Sequence, residues 1–116
     1  MSVAIKDERF RQVVGDDAPL EKLATGFIFT EGAMWDAKTS ELIFSDMPGD
    51  IVRKWSEADG VTTFRQPSNK QNGHYFDLEH RLISCEHASS HLTREEHDGS
   101  ITVLASHCDG KELNSP

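Results

Sequence analysis

The sequence contains the same pattern twice, about 40 residues apart, and this internal repeat restricts the folds that the chain can adopt. The first copy has four short strand-like runs, at 31–36, 41–46, 51–55 and 60–64, and the second has runs at 72–77, 81–86, 91–95 and 100–104. Four strands in a repeat of that length are typical of a β-propeller blade. Because one blade cannot bury both of its faces, the repeat predicts two adjacent blades that need further neighbours.

The chain divides into two parts on this reading. Residues 1–25 are predicted to form an N-terminal helix, over 6–14, and a closing-strand segment that includes a strand at 20–24. Residues 26–116 hold the two blades and the start of a loop to a third. The fold class is therefore all-β: the first two blades of a truncated propeller with a short N-terminal helix. Since natural propellers have about four to eight blades, we expect a fragment, a truncated reading frame, or self-association in which three copies complete a six-bladed ring.

Composition excludes several classes of partner. The formal net charge of −8 repels phosphate backbones, so nucleic acid is not an expected partner. No stretch approaches the roughly 20 apolar residues of a membrane span. The N-terminus carries charges where a signal peptide would be apolar, which favours a soluble, cytoplasmic protein. Most of the acidic excess is interpreted as solvated surface.

Two polar residues stand at the same offset in the two copies. Glu31 and Asn72 each begin the first strand of a blade, and each precedes a glycine that lets backbones approach closely. The first strand of a blade lines the central channel, so the two side chains should meet at one depth. Carboxylate and amide oxygens suit Ca²⁺, and also Mg²⁺ or Mn²⁺. The alternative for Glu31 is a solvated residue at a strand end.

Other residues have simpler interpretations beside functional ones. His87 follows the second strand of the second copy and could contact a substrate, although a surface histidine in a turn is the favoured interpretation. Trp35 and Trp55 occupy repeat positions and are predicted to be core. Asp36 and Asp77 recur at one offset and are predicted to cap turns.

Several of these motifs together resemble the SMP-30/gluconolactonase (LRE-like) family, over a stretch from about Phe10 to the end of the chain. The similarity rests on Glu31-Gly-Ala-Met-Trp35, Ser45-Asp46, Asn72-Gly73, Cys85-Glu86-His87 and Leu113-Asn-Ser-Pro116. The chain departs from the family pattern at Ala33, where proline is usual, and at His74 and Tyr75, where small apolar residues are usual.

The resemblance implies the N-terminal portion of a six-bladed propeller that hydrolyses sugar lactones with one divalent cation. Ca²⁺ is the leading candidate, with Zn²⁺, Mg²⁺ or Mn²⁺ as others. It makes Glu31 a metal ligand and Asn72 and His87 candidate substrate contacts. The family's remaining ligands and its base, an Asp, fall beyond Pro116, so no catalytic residue is assigned, and catalysis by this chain alone stays open. The alternative is a truncated or degenerate non-catalytic fragment acting as a scaffold or binding module.

Overall fold

Two four-stranded antiparallel sheets, each with its strands in chain order, make up most of the computed structural model, which describes residues 3–116. The first sheet consists of β1 (Thr30–Asp36), β2 (Glu41–Asp46), β3 (Ile51–Ser56) and β4 (Gly60–Arg65). The second consists of β5 (Gln71–Phe76), β6 (Leu82–Glu86), β7 (His91–Glu95) and β8 (Ile101–Ala105). A two-stranded hairpin follows, formed by β9 (His107–Cys108) and β10 (Lys111–Glu112). The two predicted blades are confirmed, and each strand boundary lies within one residue of the prediction.

The hairpin turns explain why the strands form where they do. Gly60 and Gly99 follow Asp59 and Asp98 in equivalent hairpins, and both glycines have positive φ, at 65° and 84°. Because glycine has no Cβ, it adopts this backbone conformation without steric cost. The turns therefore set where β4 and β8 begin.

The blades pack face to face through a small apolar core. Ile43, Val52 and Leu82 are buried there, and Met34 and Phe76 pack against them. The first strands of the two sheets, β1 and β5, also contact one another, and β5 contacts β2. The start of each first strand is thereby brought to the same end of the molecule.

The N-terminal helix is shorter than predicted. A 3₁₀ turn at Glu8–Phe10 leads into α1 (Arg11–Val14), and Gly15 follows with φ 76°. The side chains of Phe10 and Val13 are 41% and 78% exposed, so two residues of the predicted apolar face are not buried, while Val14 is half-buried. A single helical turn is too short to present a continuous stripe to a core. No helix in this described part of the chain is long and apolar enough to cross a bilayer.

Two further expectations are wrong. Residues 20–24 do not form a strand, because no strand of the described chain pairs with them. Trp35 is not core: its side chain is 53% exposed, since it lies on the face of the first blade that turns away from the second. Trp55 is half-buried on the same sheet.

Candidate functional site

Both first strands carry a β-bulge at their starting ends. In β1 the pairing with β2 shifts between Glu31 and Met34. In β5 the pairing with β6 shifts between Gln71 and Gly73, which leaves Asn72 as the extra residue. A bulge turns a side chain away from the regular alternation of the strand. The two predicted site residues thus lie at equivalent irregularities of the repeat.

A close backbone approach joins the two bulges. Gly32 has φ 64°, and a Cβ placed on it would lie 1.9 Å from the carbonyl oxygen of Asn72. Only glycine fits there, which confirms the expectation that this glycine lets the first strands crowd together. A Cβ on Gly73 would meet nothing within 4 Å, so the second glycine of the pattern is not required for packing.

Glu31 is half-buried and lines a cavity of about 360 Å³ on the open face of the first blade. Apolar side chains form much of the wall, among them Phe27, Leu42 and Trp55. Within residues 3–116 no hydrogen-bond donor and no cationic side chain contacts the Glu31 carboxylate. The structure therefore leaves this carboxylate able to accept a ligand.

Asn72 is half-buried, and its Nδ2 donates a hydrogen bond of 3.0 Å to the backbone carbonyl of Pro116. This bond orients the amide and leaves Oδ1 as its remaining acceptor atom. The side chain thus faces the segment that follows β10 and keeps one hard oxygen for another partner.

His87 is exposed in the turn after β6. Its backbone N–H donates to the carbonyl of Lys70 at 3.2 Å, so His87 lies at the same end of the second blade as Asn72. Among residues 3–116 no hydrogen bond links its imidazole to Glu31 or Asn72. The structure brings the backbone of Gly32, next to Glu31, against that of Asn72, and it leaves His87 exposed at the same end of the second blade.

Three carboxylates to which the sequence reasoning assigned no role accept hydrogen bonds near this end of the molecule. Asp46 and Glu86 end the second strand of each sheet and are both 3% exposed, and Asp50 lies in the turn after β2. Asp50 accepts hydrogen bonds from the N–H groups of Ser68 and Lys70 at 3.1 and 2.7 Å. Burial would raise the pKa of Asp50, but these hydrogen bonds outweigh it and hold the pKa below its usual range. The sequence does contain a signal for two of these carboxylates, because Asp46 and Glu86 stand at the same offset in the two copies of the repeat.

A half-buried histidine bridges the two blades. His74 Nε2 lies 2.8 Å from Ser45 Oγ, and His74 Nδ1 lies 3.0 Å from Ser84 Oγ. Burial, followed by the positive charge of Arg65, lowers the pKa of His74 to about 4. The imidazole is therefore neutral at neutral pH, with one nitrogen donating and the other accepting.

The opposite end of the first strands carries a second contact between blades. Asp36 caps its turn by accepting from the N–H of Lys38 at 3.0 Å, and Asp77 accepts from the N–H of Arg81 at 2.9 Å, as predicted. Asp36 also lies 2.9 Å from His80 Nε2, and the His80 ring stacks on Phe76 at 4.1 Å. Burial would raise the pKa of Asp36, yet the bonds from His80, Lys38 and Thr39 hold it below its usual range.

The described residues do not form a complete cation site. No group of three His, Cys, Asp or Glu side chains suited to a metal occurs among residues 3–116. The Glu31 carboxylate and Asn72 Oδ1 are hard oxygen donors, which fit Ca²⁺ or Mg²⁺ in chemistry. Ca²⁺ takes about six to eight oxygens, so these two residues account for a minority of a full shell.

The two four-stranded sheets and their bulged first strands define two consecutive blades of a β-propeller. The model of the SMP-30/gluconolactonase/LRE-like region matches residues 29–116. The chain belongs to this family.

Individual relatives agree with that assignment. The chain is 35% identical over 60 residues to a gluconolactonase of Zymomonas mobilis subsp. mobilis (strain ATCC 31821 / ZM4 / CP4), a match that covers 52% of this chain and 17% of that protein. An X-ray structure described as a candidate gluconolactonase superposes with a TM-score of 0.76 at 36% identity, over 83% of this chain and 33% of that one. A gluconolactonase from Xanthomonas campestris superposes with a TM-score of 0.72 at 33% identity, over 78% of this chain and 30% of that one. The chain thus spans a third or less of the length of these relatives.

Proposed function

We propose that this chain supplies the first-blade carboxylate, Glu31, to a divalent-cation site of a propeller that opens sugar lactones. The observation that carries the proposal is the state of that carboxylate: it is half-buried at a bulge, lines a cavity, and has no partner within residues 3–116. Buried or half-buried carboxylates are normally paired or hydrogen-bonded. Similarity to two gluconolactonase structures supports the choice of substrate class.

In this proposal Glu31, Asn72 and His87 each have a separate role. Glu31 contributes a negatively charged oxygen, and Asn72 contributes Oδ1 from an amide that the Pro116 carbonyl holds in place. His87, on the exposed rim, contacts the hydroxyl groups of the sugar. A Ca²⁺ ion bound there would polarise the lactone carbonyl and stabilise the developing oxyanion. The base that deprotonates the attacking water is not assigned to any residue of this chain.

A non-catalytic binding or scaffold module is the second candidate. The absence of a three-residue ligand group within residues 3–116 favours it, because two oxygens alone bind Ca²⁺ weakly. Self-association would bring several copies of Glu31 to one channel and raise that number. The two candidates differ in measurable cation binding and lactone turnover.

The test compares the unmodified chain with Glu31→Gln and with Glu57→Gln, an exposed turn residue that serves as the matched control. We expect added Ca²⁺ to raise the thermal midpoint of the unmodified chain and of Glu57→Gln but not of Glu31→Gln. A ligand at about 100 times its Kd stabilises by about 2.7 kcal/mol. Hydrolysis of a panel of sugar lactones is measured in parallel by proton release, and light scattering reports the mass of the particle.

The outcomes separate the candidates. Loss of cation binding and of lactone turnover in Glu31→Gln alone supports the hydrolase role. Cation binding or turnover that survives Glu31→Gln contradicts it. A folded chain whose midpoint ignores Ca²⁺ and that turns over no lactone supports the scaffold reading instead.

A further inference from the structure

Asp46 lies next to the candidate site, but its carboxylate is not free to bind a cation. It is the last residue of β2, is 3% exposed, and lies opposite Thr30, the residue before Glu31. Its Oδ1 accepts hydrogen bonds from two successive N–H groups, those of Ile28 at 3.1 Å and Phe29 at 3.2 Å. Asp46 Oδ2 is 3.8 Å from the guanidinium of Arg53. The carboxylate is therefore engaged on both oxygens.

These contacts fix the chain just before Glu31. The N–H of Met47 donates to the carbonyl of Phe29 at 3.2 Å, which ties the same segment to the end of β2 from a second direction. On the other side of Glu31, the bulge at Gly32 is held by its approach to the Asn72 carbonyl. Glu31 therefore lies between two segments whose backbones are held in place. It comes two residues after Phe29 and one residue before Gly32.

Resting on the proposed function, we propose that Asp46 is a positioning residue: it aims the Glu31 carboxylate at the cation by anchoring the backbone of residues 28 and 29. The repeat offers an independent parallel. Glu86, at the equivalent end of β6, accepts hydrogen bonds from Gln71 Nε2 at 3.2 Å and Thr93 Oγ1 at 3.1 Å. Gln71 immediately precedes Asn72, so the buried carboxylate that ends β6 also contacts a residue next to a site residue, here through a side-chain amide and not through backbone N–H groups.

If Asp46 orients Glu31, the Glu31 side chain should lose that orientation when Asp46 is replaced. Partners behind a metal ligand typically contribute about 10- to 100-fold to metal affinity. We expect Asp46→Asn to weaken Ca²⁺ binding by about tenfold or more, since the amide keeps one acceptor oxygen but loses its charge-assisted bonds. The Ca²⁺ dissociation constant is measured by titration calorimetry on the full chain.

The matched control is Asp36→Asn on the same sheet. Asp36 is likewise buried, at 5% exposed, and caps a turn through the N–H of Lys38, but it ends β1 about 16 Å from Glu31 at 3.3 Å per residue. It should lose stability and keep its Ca²⁺ affinity.

Each result decides one point. If the unmodified chain binds no Ca²⁺, or Glu31→Gln leaves binding unchanged, the proposed function fails and the positioning role falls with it. If Glu31→Gln abolishes binding but Asp46→Asn behaves like Asp36→Asn, the positioning role alone is wrong. If Asp46→Asn does not fold, Asp46→Ser, whose hydroxyl still accepts from one amide, is judged by the same criteria.

Discussion

The contact between Gly32 and the Asn72 carbonyl should be the least tolerant point of the fold. In Gly32→Ala the new Cβ would lie 1.9 Å from that oxygen and 2.7 Å from its carbon, whereas real Cβ atoms essentially never approach within 3.0 Å. The two first strands must therefore separate locally by roughly 1 Å or more, which is an overpacking cost of about 1–3 kcal/mol. The left-handed backbone adds about 1–2 kcal/mol. We expect a total loss of about 2–5 kcal/mol in the free energy of unfolding.

Two other glycines separate these two costs. Gly60 has nearly the same φ, 65°, but an added Cβ would meet nothing within 4 Å, so Gly60→Ala should show the backbone cost alone. Gly73 has neither feature, and Gly73→Ala should change the stability by less than about 1 kcal/mol.

Urea denaturation followed by the fluorescence of Trp35 and Trp55 measures all three variants. With an m-value of about 1–3 kcal/mol per molar, Gly32→Ala should move the midpoint by about 2 M or prevent folding. A midpoint of Gly32→Ala equal to that of Gly60→Ala would show that the first strands do not approach as closely as the structure places them.

Three further predictions concern groups between and around the blades. Because the pKa of His74 falls from 6.5 unfolded to about 4 folded, the unfolded chain binds more protons between these values. Stability should therefore be full above pH 6.5 and fall by about 3 kcal/mol toward pH 4, a loss that urea midpoints at several pH values should show and that His74→Gln should lack. Removing the partly buried His80–Asp36 hydrogen bond in His80→Ala should cost about 1–3 kcal/mol, with a double-mutant cycle against Asp36→Asn isolating the pair; equal effects of His80→Ala in both backgrounds would contradict the contact. Asp50→Ala leaves the amides of Ser68 and Lys70 without their acceptor and should cost about 2–3 kcal/mol, whereas a loss under 0.5 kcal/mol in thermal melts would show that water replaces it.

Local features of the sequence were sufficient to predict the strands. Alternation of apolar and polar residues, the Asp-Gly turns at Gly60 and Gly99, and the recurrence of the pattern all act over a few residues, so they can be read without knowing the tertiary structure. The same holds for Asp36 and Asp77, whose turn-capping contacts lie two to four residues away.

Contacts between the blades could not be predicted in this way. His74 meets Ser45 across 29 residues, and His80 meets Asp36 across 44, and neither pair shares a position in the repeat. The blades are similar in backbone but differ in the side chains that face each other. Trp35 shows the same limit, since its exposure depends on what covers the open face of the first blade and not on its place in the strand.

The acidic residues show most clearly what the structure adds to a site predicted from sequence. Composition alone favoured a solvated surface for most of the 20 acidic side chains. The structure instead buries Asp46 and Glu86 and satisfies them with hydrogen bonds, while Glu31, in the same region, has no partner among residues 3–116. A fold that surrounds neighbouring carboxylates with donors but leaves one half-buried carboxylate without a partner keeps that carboxylate open to an added ligand. That contrast, more than the spacing of Glu31 and Asn72, is the reason to look for a cation at the start of β1.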